Sequence, residues 1–215
     1  MVPDFASAWQ DFVTGPRTLG PTAGAREAWH KGRPRYAAWV LRVRDERVDE
    51  RVRRLQAALA GHLADWPLSG LHVTLYVAGF PTSSPEHDDD VHLEDLARAV
   101  EALRDARAPV LRVGSANSFL SCPVLEVQLD DAAYGLRTQL AAAHREIRFA
   151  PYRPHLTLGT WPGRVPVAPL VEALRPWRDL PEITVRVDEL ELATFDTHVA
   201  GAPLEPERVV RLRAQ

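Results

Sequence analysis

The sequence contains one cysteine, Cys122, one lysine, Lys31, and no apolar run long enough to span a bilayer. A single thiol excludes an internal disulfide framework and is typical of a reducing compartment, so a cytoplasmic location is expected. The first residues show no basic segment followed by an apolar stretch, so neither secretion nor binding to a membrane is expected. The formal net charge of -3 argues against a protein that coats long nucleic acid, whereas a small anionic substrate is compatible with it.

The 215 residues, 46% of them hydrophobic, are enough to bury a sizeable core in one domain or in two small lobes. Residues 1–35 are predicted to form an N-terminal appendage, a short helix docked on the body followed by a basic linker. Further along, strands are expected at 36–43, 71–80, 110–119, 124–129, 155–160, 183–195 and 208–212, and helices at 46–63, 93–106, 132–147 and 167–177. This order predicts that residues 36–215 form an α+β protein of two similar lobes, each a mainly antiparallel sheet with helices on its outer face.

Two tetrapeptides, residues 72–75 and 155–158, share the pattern His-x-Thr-Leu. Each lies in a short apolar run typical of a β-strand, where successive side chains point to opposite faces. The histidine and the threonine of each copy are therefore expected on one face, while the aliphatic neighbours anchor the strand in a core. Two such matches by chance are expected roughly once in a thousand chains of this composition.

Histidine is suited to proton exchange near neutral pH, because its usual pKa is about 6.5. A neutral imidazole can take a proton from water while a charged one protonates a leaving oxygen, as the opening of a ribose 2′,3′-cyclic phosphate requires. The hydroxyls of Thr74 and Thr157 are candidates to donate hydrogen bonds to the phosphate oxygens. This scheme needs no metal and no cofactor. For either copy alone a packed histidine beside a strand-forming threonine is the simpler interpretation, and the repetition favours the chemical one.

With Leu-His-Val-Thr-Leu at 71–75 and Pro-His-Leu-Thr-Leu at 154–158, the sequence resembles the two-histidine (2H) phosphoesterase superfamily. It is most similar to the bacterial 2′-5′ RNA ligase-like (LigT-like) and RNA 2′,3′-cyclic phosphodiesterase proteins, over residues 36–212. The resemblance implies a bilobal, pseudo-twofold fold with both motifs in a central cleft and a metal-independent phosphodiesterase activity. It also implies RNA ends or small nucleotides bearing a 2′,3′-cyclic phosphate as partners, with His72 as general acid and His155 as base. A monomer is expected.

Further substrate-binding candidates lie near the motifs. Four aromatic residues could stack on a base: Tyr76, Tyr152, Trp161 and Phe119. For the last three, packing in the core is the simpler interpretation. Tyr76 is expected on the same strand face as His72, because it follows four residues later. Many relatives carry an arginine shortly after the second motif, where this chain continues Gly-Thr-Trp. The candidates to replace that cation are Arg153, Lys31 and Arg33.

Two alternatives remain open. The first is a 2′-5′ RNA ligase or 2′,5′-phosphodiesterase, which product analysis on 2′-5′-linked oligonucleotides would identify. The second is a non-catalytic module that binds RNA ends or nucleotides, which would hold a 2′-phosphorylated nucleotide without hydrolysing its cyclic precursor. The acidic segment 86–92 has residue types that bind metals but lacks the spacing of an EF-hand, so a solvated loop is predicted there.

Overall fold

The computed structural model describes residues 4–20, 24–64, 70–147 and 151–214, so parts of the predicted appendage, residues 1–3 and 21–23, lie outside it. Six α-helices lie in the described residues: α1 Phe5–Thr14, α2 Ala25–His30, α3 Glu46–Ala58, α4 Leu93–Ala102, α5 Asp131–Ala143 and α6 Ala168–Leu174. The strands there are β1 Arg35–Arg42, β2 His72–Thr82, β3 Asp90–His92, β4 Val110–Ser118, β5 Pro123–Leu129, β6 His155–Thr157, β7 Ile183–Arg186, β8 Glu189–Asp196 and β9 Glu205–Arg211. The predicted α+β class is confirmed.

The strands run in the order β7-β4-β5-β6-β2-β1-β8-β9, and every neighbouring pair in this path is antiparallel. β3 lies off the path and pairs in parallel with the end of β2. The two predicted sheets are therefore the halves of one continuous sheet, joined where β2 meets β6. Both motif strands lie at this central seam, each belonging to a different half.

One face of the sheet is covered by helices, which form a continuous apolar core with it. Val73, Leu75 and Leu156 point into this core from the motif strands and are fully buried. Burying an aliphatic side chain of this size stabilises the fold by about 1.5–3 kcal/mol. The alternate residues of the motif strands, the histidines and threonines, are thereby held on the opposite face.

The helix expected in the appendage, α1, packs on the body. Phe12 is fully buried in the core, and its ring stacks on Trp161 with centroids 6.1 Å apart. Asp4 caps the helix by accepting a hydrogen bond from the backbone N–H of Ser7 at 2.9 Å. Asn117 ties α1 to β4, because its side-chain amide donates to the carbonyl of Phe5 at 3.0 Å.

The prediction of a single strand over residues 183–195 is wrong. β7 ends at Arg186 and pairs with β4, whereas β8 begins at Glu189 and pairs with β1 in the other half of the sheet. The chain crosses between the halves at Val187 and Asp188. The apolar pattern continues across this crossing, so the sequence alone does not indicate where one strand ends and the next begins. None of the described helices is long and apolar enough to cross a membrane.

Candidate active site

The two motifs lie side by side in the centre of the sheet. β2 and β6 are antiparallel, and their register places the central aliphatic residues of the motifs, Val73 and Leu156, opposite each other. His72 must then lie across from Thr157 on one side of this pair. Thr74 lies across from His155 on the other. The four side chains share one partly exposed face, and each histidine is a diagonal neighbour of the other, at a typical separation of about 7–8 Å.

Both imidazoles are held in the same way by the backbone. Nδ1 of His72 lies 3.2 Å from the carbonyl oxygen of Gly70, and Nδ1 of His155 lies 2.6 Å from that of Arg153. Because a carbonyl oxygen only accepts, Nδ1 carries the proton in each neutral ring and Nε2 keeps its lone pair. No hydrogen-bond partner is found among the described residues for either Nε2 or for the hydroxyls of Thr74 and Thr157. The arrangement therefore presents two proton-transfer atoms and two hydroxyl donors to a ligand.

Burial lowers the pKa of both imidazoles below the usual 6.5, because the surrounding protein disfavours the charged ring. The carbonyl bonds at Nδ1 oppose this effect in both. The positive charges of Arg42 and of a protonated His155 lower the pKa of His72 further, while Glu191 raises it. The effect of His155 on His72 means that the two rings lie within electrostatic range of each other. At neutral pH both rings of the free protein are therefore mainly uncharged.

An ion pair flanks His72 on its outer side. Arg42 lies directly opposite His72 in the pairing of β1 with β2. Its guanidinium donates to Glu191 on β8, through Nη2 at 2.5 Å and Nε at 3.1 Å. Both side chains are largely buried. The residue directly opposite His72 on this side of the sheet is therefore a cation.

A second ion pair flanks His155, in the reverse order. Glu126 lies directly opposite His155 in the pairing of β5 with β6. Its carboxylate accepts hydrogen bonds from the amide of Asn117 at 2.6 Å and from Arg178 at 2.9 Å. The residue directly opposite His155 on its side of the sheet is therefore an anion. The two motifs are therefore related by a pseudo-twofold axis, whereas the residues opposite the two histidines carry charges of opposite sign.

The flanking charges are absent from the sequence-based predictions. Arg42, Glu126 and Glu191 each directly follow a buried leucine in their strands. A charge at such a position is rare unless it is paired or functional. That signal is present in the sequence, but it does not say which strands are neighbours.

The structure places the aromatic candidates differently. The ring of Phe119 lies edge to face against His155, with centroids 5.0 Å apart. Tyr152 donates its hydroxyl to the carbonyl of Thr74 at 2.9 Å, and so braces β2. Trp161 is only 4% exposed, and its indole N–H donates to Ser118 Oγ at 3.2 Å. Of the two interpretations of Trp161, stacking on a ligand is wrong and packing in the core is what the structure shows.

The expectation that Tyr76 shares the face of His72 is also wrong. The pairing of β1 with β2 changes register between Trp39 and Val40, so that β2 contains a bulge between Thr74 and Tyr76. Alternation ends at the bulge, and Leu75 and Tyr76 are both buried. The hydroxyl of Tyr76 donates to the carbonyl of His144 at 2.7 Å, far from the open face.

Of the three proposed replacement cations, only Arg153 lies beside the site. Its carbonyl holds His155, but its guanidinium is bound to the start of α1, with Nε 2.7 Å from the carbonyl of Asp4 and Nη2 2.9 Å from Ser7 Oγ. Arg153 therefore links the appendage to the second motif.

Lys31 and Arg33 lie elsewhere, so their proposed role is wrong. Arg33 packs 3.5 Å above the ring of Phe80 and pairs with Asp89 at 2.7 Å. At about 3.3 Å per strand residue, Phe80 lies roughly 25 Å along β2 from His72. Lys31 borders the same acidic loop. Across the described ranges, no group of three or more metal-binding side chains occurs, in this loop or elsewhere.

Comparisons with known proteins identify the family and the fold of this chain. The model of a family described as the 2′-5′ RNA ligase superfamily matches residues 44–198. TT0787 of Thermus thermophilus has a similar fold, with a TM-score of 0.55 and 17% identity over 84% of this chain and 99% of that one. E. coli LigT in its apo form gives a TM-score of 0.52, with 17% identity and the same coverage of 84% and 99%. LigT complexed with 3′-AMP gives 0.51, again at 17% identity, over 84% of this chain and 99% of that one. No curated protein matches the sequence.

Proposed function

The chain belongs to the 2′-5′ RNA ligase superfamily of two-histidine phosphoesterases, and from this premise we propose that it opens 2′,3′-cyclic phosphates of RNA ends or nucleotides. The proposal rests on one observation above all, the register that sets each motif histidine across from the threonine of the other motif. A nucleotide is favoured as ligand because LigT, a protein of the same fold, forms a crystalline complex with 3′-AMP.

In the proposed reaction the phosphate lies over the seam between β2 and β6. The hydroxyls of Thr74 and Thr157 donate to its non-bridging oxygens and stabilise the negative charge of the transition state. Water attacks phosphorus and gives its proton to one imidazole at Nε2. The bond from phosphorus to one ribose oxygen breaks, and the other imidazole protonates that oxygen. The products are a phosphomonoester and a free ribose hydroxyl.

The flanking charges favour His72 as the base and His155 as the acid, the reverse of the assignment that the family resemblance implied. The cation Arg42 directly opposite His72 disfavours a proton on that ring, whereas burial alone lowers the pKa of His155, and the residue directly opposite it is the carboxylate Glu126. A bound phosphodiester anion raises the pKa of both rings. The ring beside the carboxylate is then the one that holds the proton.

The test of the proposed function is an assay on four substrates, the 2′,3′-cyclic phosphates of adenosine, guanosine, cytidine and uridine, in the presence of a chelator. We expect hydrolysis to a nucleoside monophosphate that the chelator does not diminish, because both proton transfers are assigned to imidazoles. Hydrolysis of a 2′-5′-linked dinucleotide without turnover of any cyclic phosphate would support the 2′,5′-phosphodiesterase alternative. Tight binding of a 2′-monophosphate without turnover of any substrate would support the binding module.

The dependence of kcat/KM on pH should show a maximum below about 6.5. This parameter reports the free enzyme, in which burial lowers the pKa of both imidazoles from 6.5. The rate rises with pH as the base loses its proton and falls as the acid loses its own. Since both losses occur below 6.5, the maximum between them lies there too. The maximum in the dependence of kcat on pH should lie at higher pH, because the bound anion stabilises the charged rings in the enzyme–substrate complex. A kcat/KM maximum above pH 7 would contradict this assignment.

Replacing Thr74 or Thr157 with valine should lower kcat by about tenfold or more, because a hydroxyl that stabilises the transition state is lost while the shape of the side chain is kept. The matched control is Thr184→Val, on the exposed face of β7, which should leave kcat unchanged. Steady-state kinetics with a cyclic nucleotide measures both. Unaltered kcat in both motif variants would remove the hydroxyls from the mechanism.

A further inference from the structure

A small pocket lies between the N-terminal appendage and the turn that joins β4 to β5. Its volume is about 230 Å³. The appendage lines it with Ala8, Asp11 and Leu19, and the body lines it with Phe119 and Arg153 among others. The pocket is smaller than the roughly 300–1,000 Å³ of pockets that enclose a drug-sized ligand, so it suits a single planar ring system.

This pocket adjoins the candidate active site at His155. Phe119, which lines the pocket, contacts the imidazole of His155 edge to face at 5.0 Å. Arg153, also in the lining, accepts the Nδ1 proton of the same imidazole through its carbonyl oxygen. A ligand whose phosphate lies at the motifs therefore has this pocket on the His155 side of the site, beside the ring of Phe119.

The appendage wall is a fixed part of the fold. Leu19 donates its backbone N–H to the carbonyl of Leu120 at 2.8 Å, and Arg153 holds the start of α1 as described above. Gly15, directly after α1, allows the appendage to approach Leu120 closely, because a Cβ at this position would lie 2.9 Å from the side chain of Leu120. This wall precedes residue 44, where the match to the family model begins.

The lining combines a flat aromatic ring with an available carboxylate. Asp11 is exposed, and its side chain has no hydrogen-bond or ion-pair partner within the part of the chain that the structure describes. A carboxylate accepts hydrogen bonds from amino and ring N–H groups, as it does from the exocyclic amine of cytosine in DNA recognition. Guanine is the base that presents two adjacent donors on one edge, its ring N–H and its amino group. Uracil presents a single ring N–H between two carbonyl oxygens, which a carboxylate repels.

We propose that this pocket binds the nucleobase of the substrate and selects guanine, with Asp11 accepting from the guanine edge and Phe119 contacting the ring. The inference rests on the proposed function, since it takes the cyclic phosphate of the same nucleotide to lie at the motifs. Asp11 is thus a specificity-determining residue supplied by the appendage, outside the two motifs.

The test compares kcat/KM for guanosine and uridine 2′,3′-cyclic phosphates in the wild-type chain and in Asp11→Asn. We expect the wild type to prefer guanosine by about tenfold or more, the scale of a bidentate base contact. In Asp11→Asn this ratio should fall by a similar factor. The NH2 group of asparagine replaces one carboxylate oxygen, so that an N–H donor of the protein faces an N–H donor of guanine. The control variant is Asp131→Asn, at the exposed start of α5, which should leave both rates unchanged.

Calorimetric binding of guanosine and uridine 2′-monophosphates to the same variants separates this proposal from the proposed function. Equal kcat/KM for the two bases in the wild type, or a guanosine preference that survives in Asp11→Asn, would overturn the pocket assignment while leaving the phosphodiesterase in place. Tighter binding of the guanosine monophosphate that is lost in Asp11→Asn supports the pocket, even if no cyclic phosphate is turned over.

Discussion

Replacing His72 or His155 with alanine should lower kcat on 2′,3′-cyclic phosphates by at least about a hundredfold, and by up to about ten-thousandfold if proton transfer limits the rate. Each ring offers an Nε2 without a partner among the described residues, and each is fixed through Nδ1 to a backbone carbonyl. Alanine removes the transferable proton and leaves the strand intact, because the aliphatic neighbours hold it in the core. Single-turnover kinetics with a cyclic nucleotide measures the effect.

The double variant should be scarcely slower than the worse single one, because two groups that act in the same step lose their effects together. His87→Ala is the matched control, since His87 lies in the acidic loop beside Lys31 and outside the motifs. It should keep full activity. If both motif variants keep wild-type kcat while remaining folded, the two imidazoles take no part in the reaction.

The geometry that these variants test could be predicted in large part from sequence. Alternation along a strand places His72 and Thr74 on one face and Val73 in the core, and the structure agrees because burial of Val73 fixes the register. The second motif repeats the argument at His155. The order of elements likewise predicted the α+β class, since most of the longer helices and strands from residue 36 onward carry their own periodicity.

The charges beside the motifs could not be predicted from the sequence, because their position depends on which strands are neighbours. Arg42 opposite His72 and Glu126 opposite His155 become visible only when β1 and β5 are known to flank the motif strands. Local interruptions were also missed. The bulge that buries Tyr76 arises from the pairing with β1, and no residue type in β2 announces it. A period of two, extended past such a point, assigns the wrong face to the residues that follow it up to the next bulge.

The assignment of acid and base predicts a large difference between two kinds of substrate. On a cyclic phosphate, whose leaving ribose oxygen needs a proton, His155→Ala should lose at least about a hundredfold in kcat/KM. On a 4-nitrophenyl phosphodiester of a nucleoside, the leaving group departs as a stable anion. The kcat/KM of the same variant on this substrate should therefore be close to that of the wild type. His72→Ala should remain impaired on both substrates, because water must still be deprotonated. Release of nitrophenolate, followed by its absorbance, measures the second reaction.

The charges on either side of the motifs decide which outcome to expect. Arg42 disfavours a proton on His72, whereas His155 lies opposite the carboxylate of Glu126 with burial alone lowering its pKa, so only His155 should become dispensable when the leaving group needs no acid. Rescue of His72→Ala instead would reverse the roles and would mean that the phosphate-bound state overrides the flanking ion pairs. Equal losses on both substrates in both variants would show that neither ring protonates the leaving group. Arg42→Met removes the cation and keeps a long side chain. If His72 is the base, this variant should raise the pKa that the pH dependence of kcat/KM gives for the catalytic base, and otherwise it should leave that pKa unchanged.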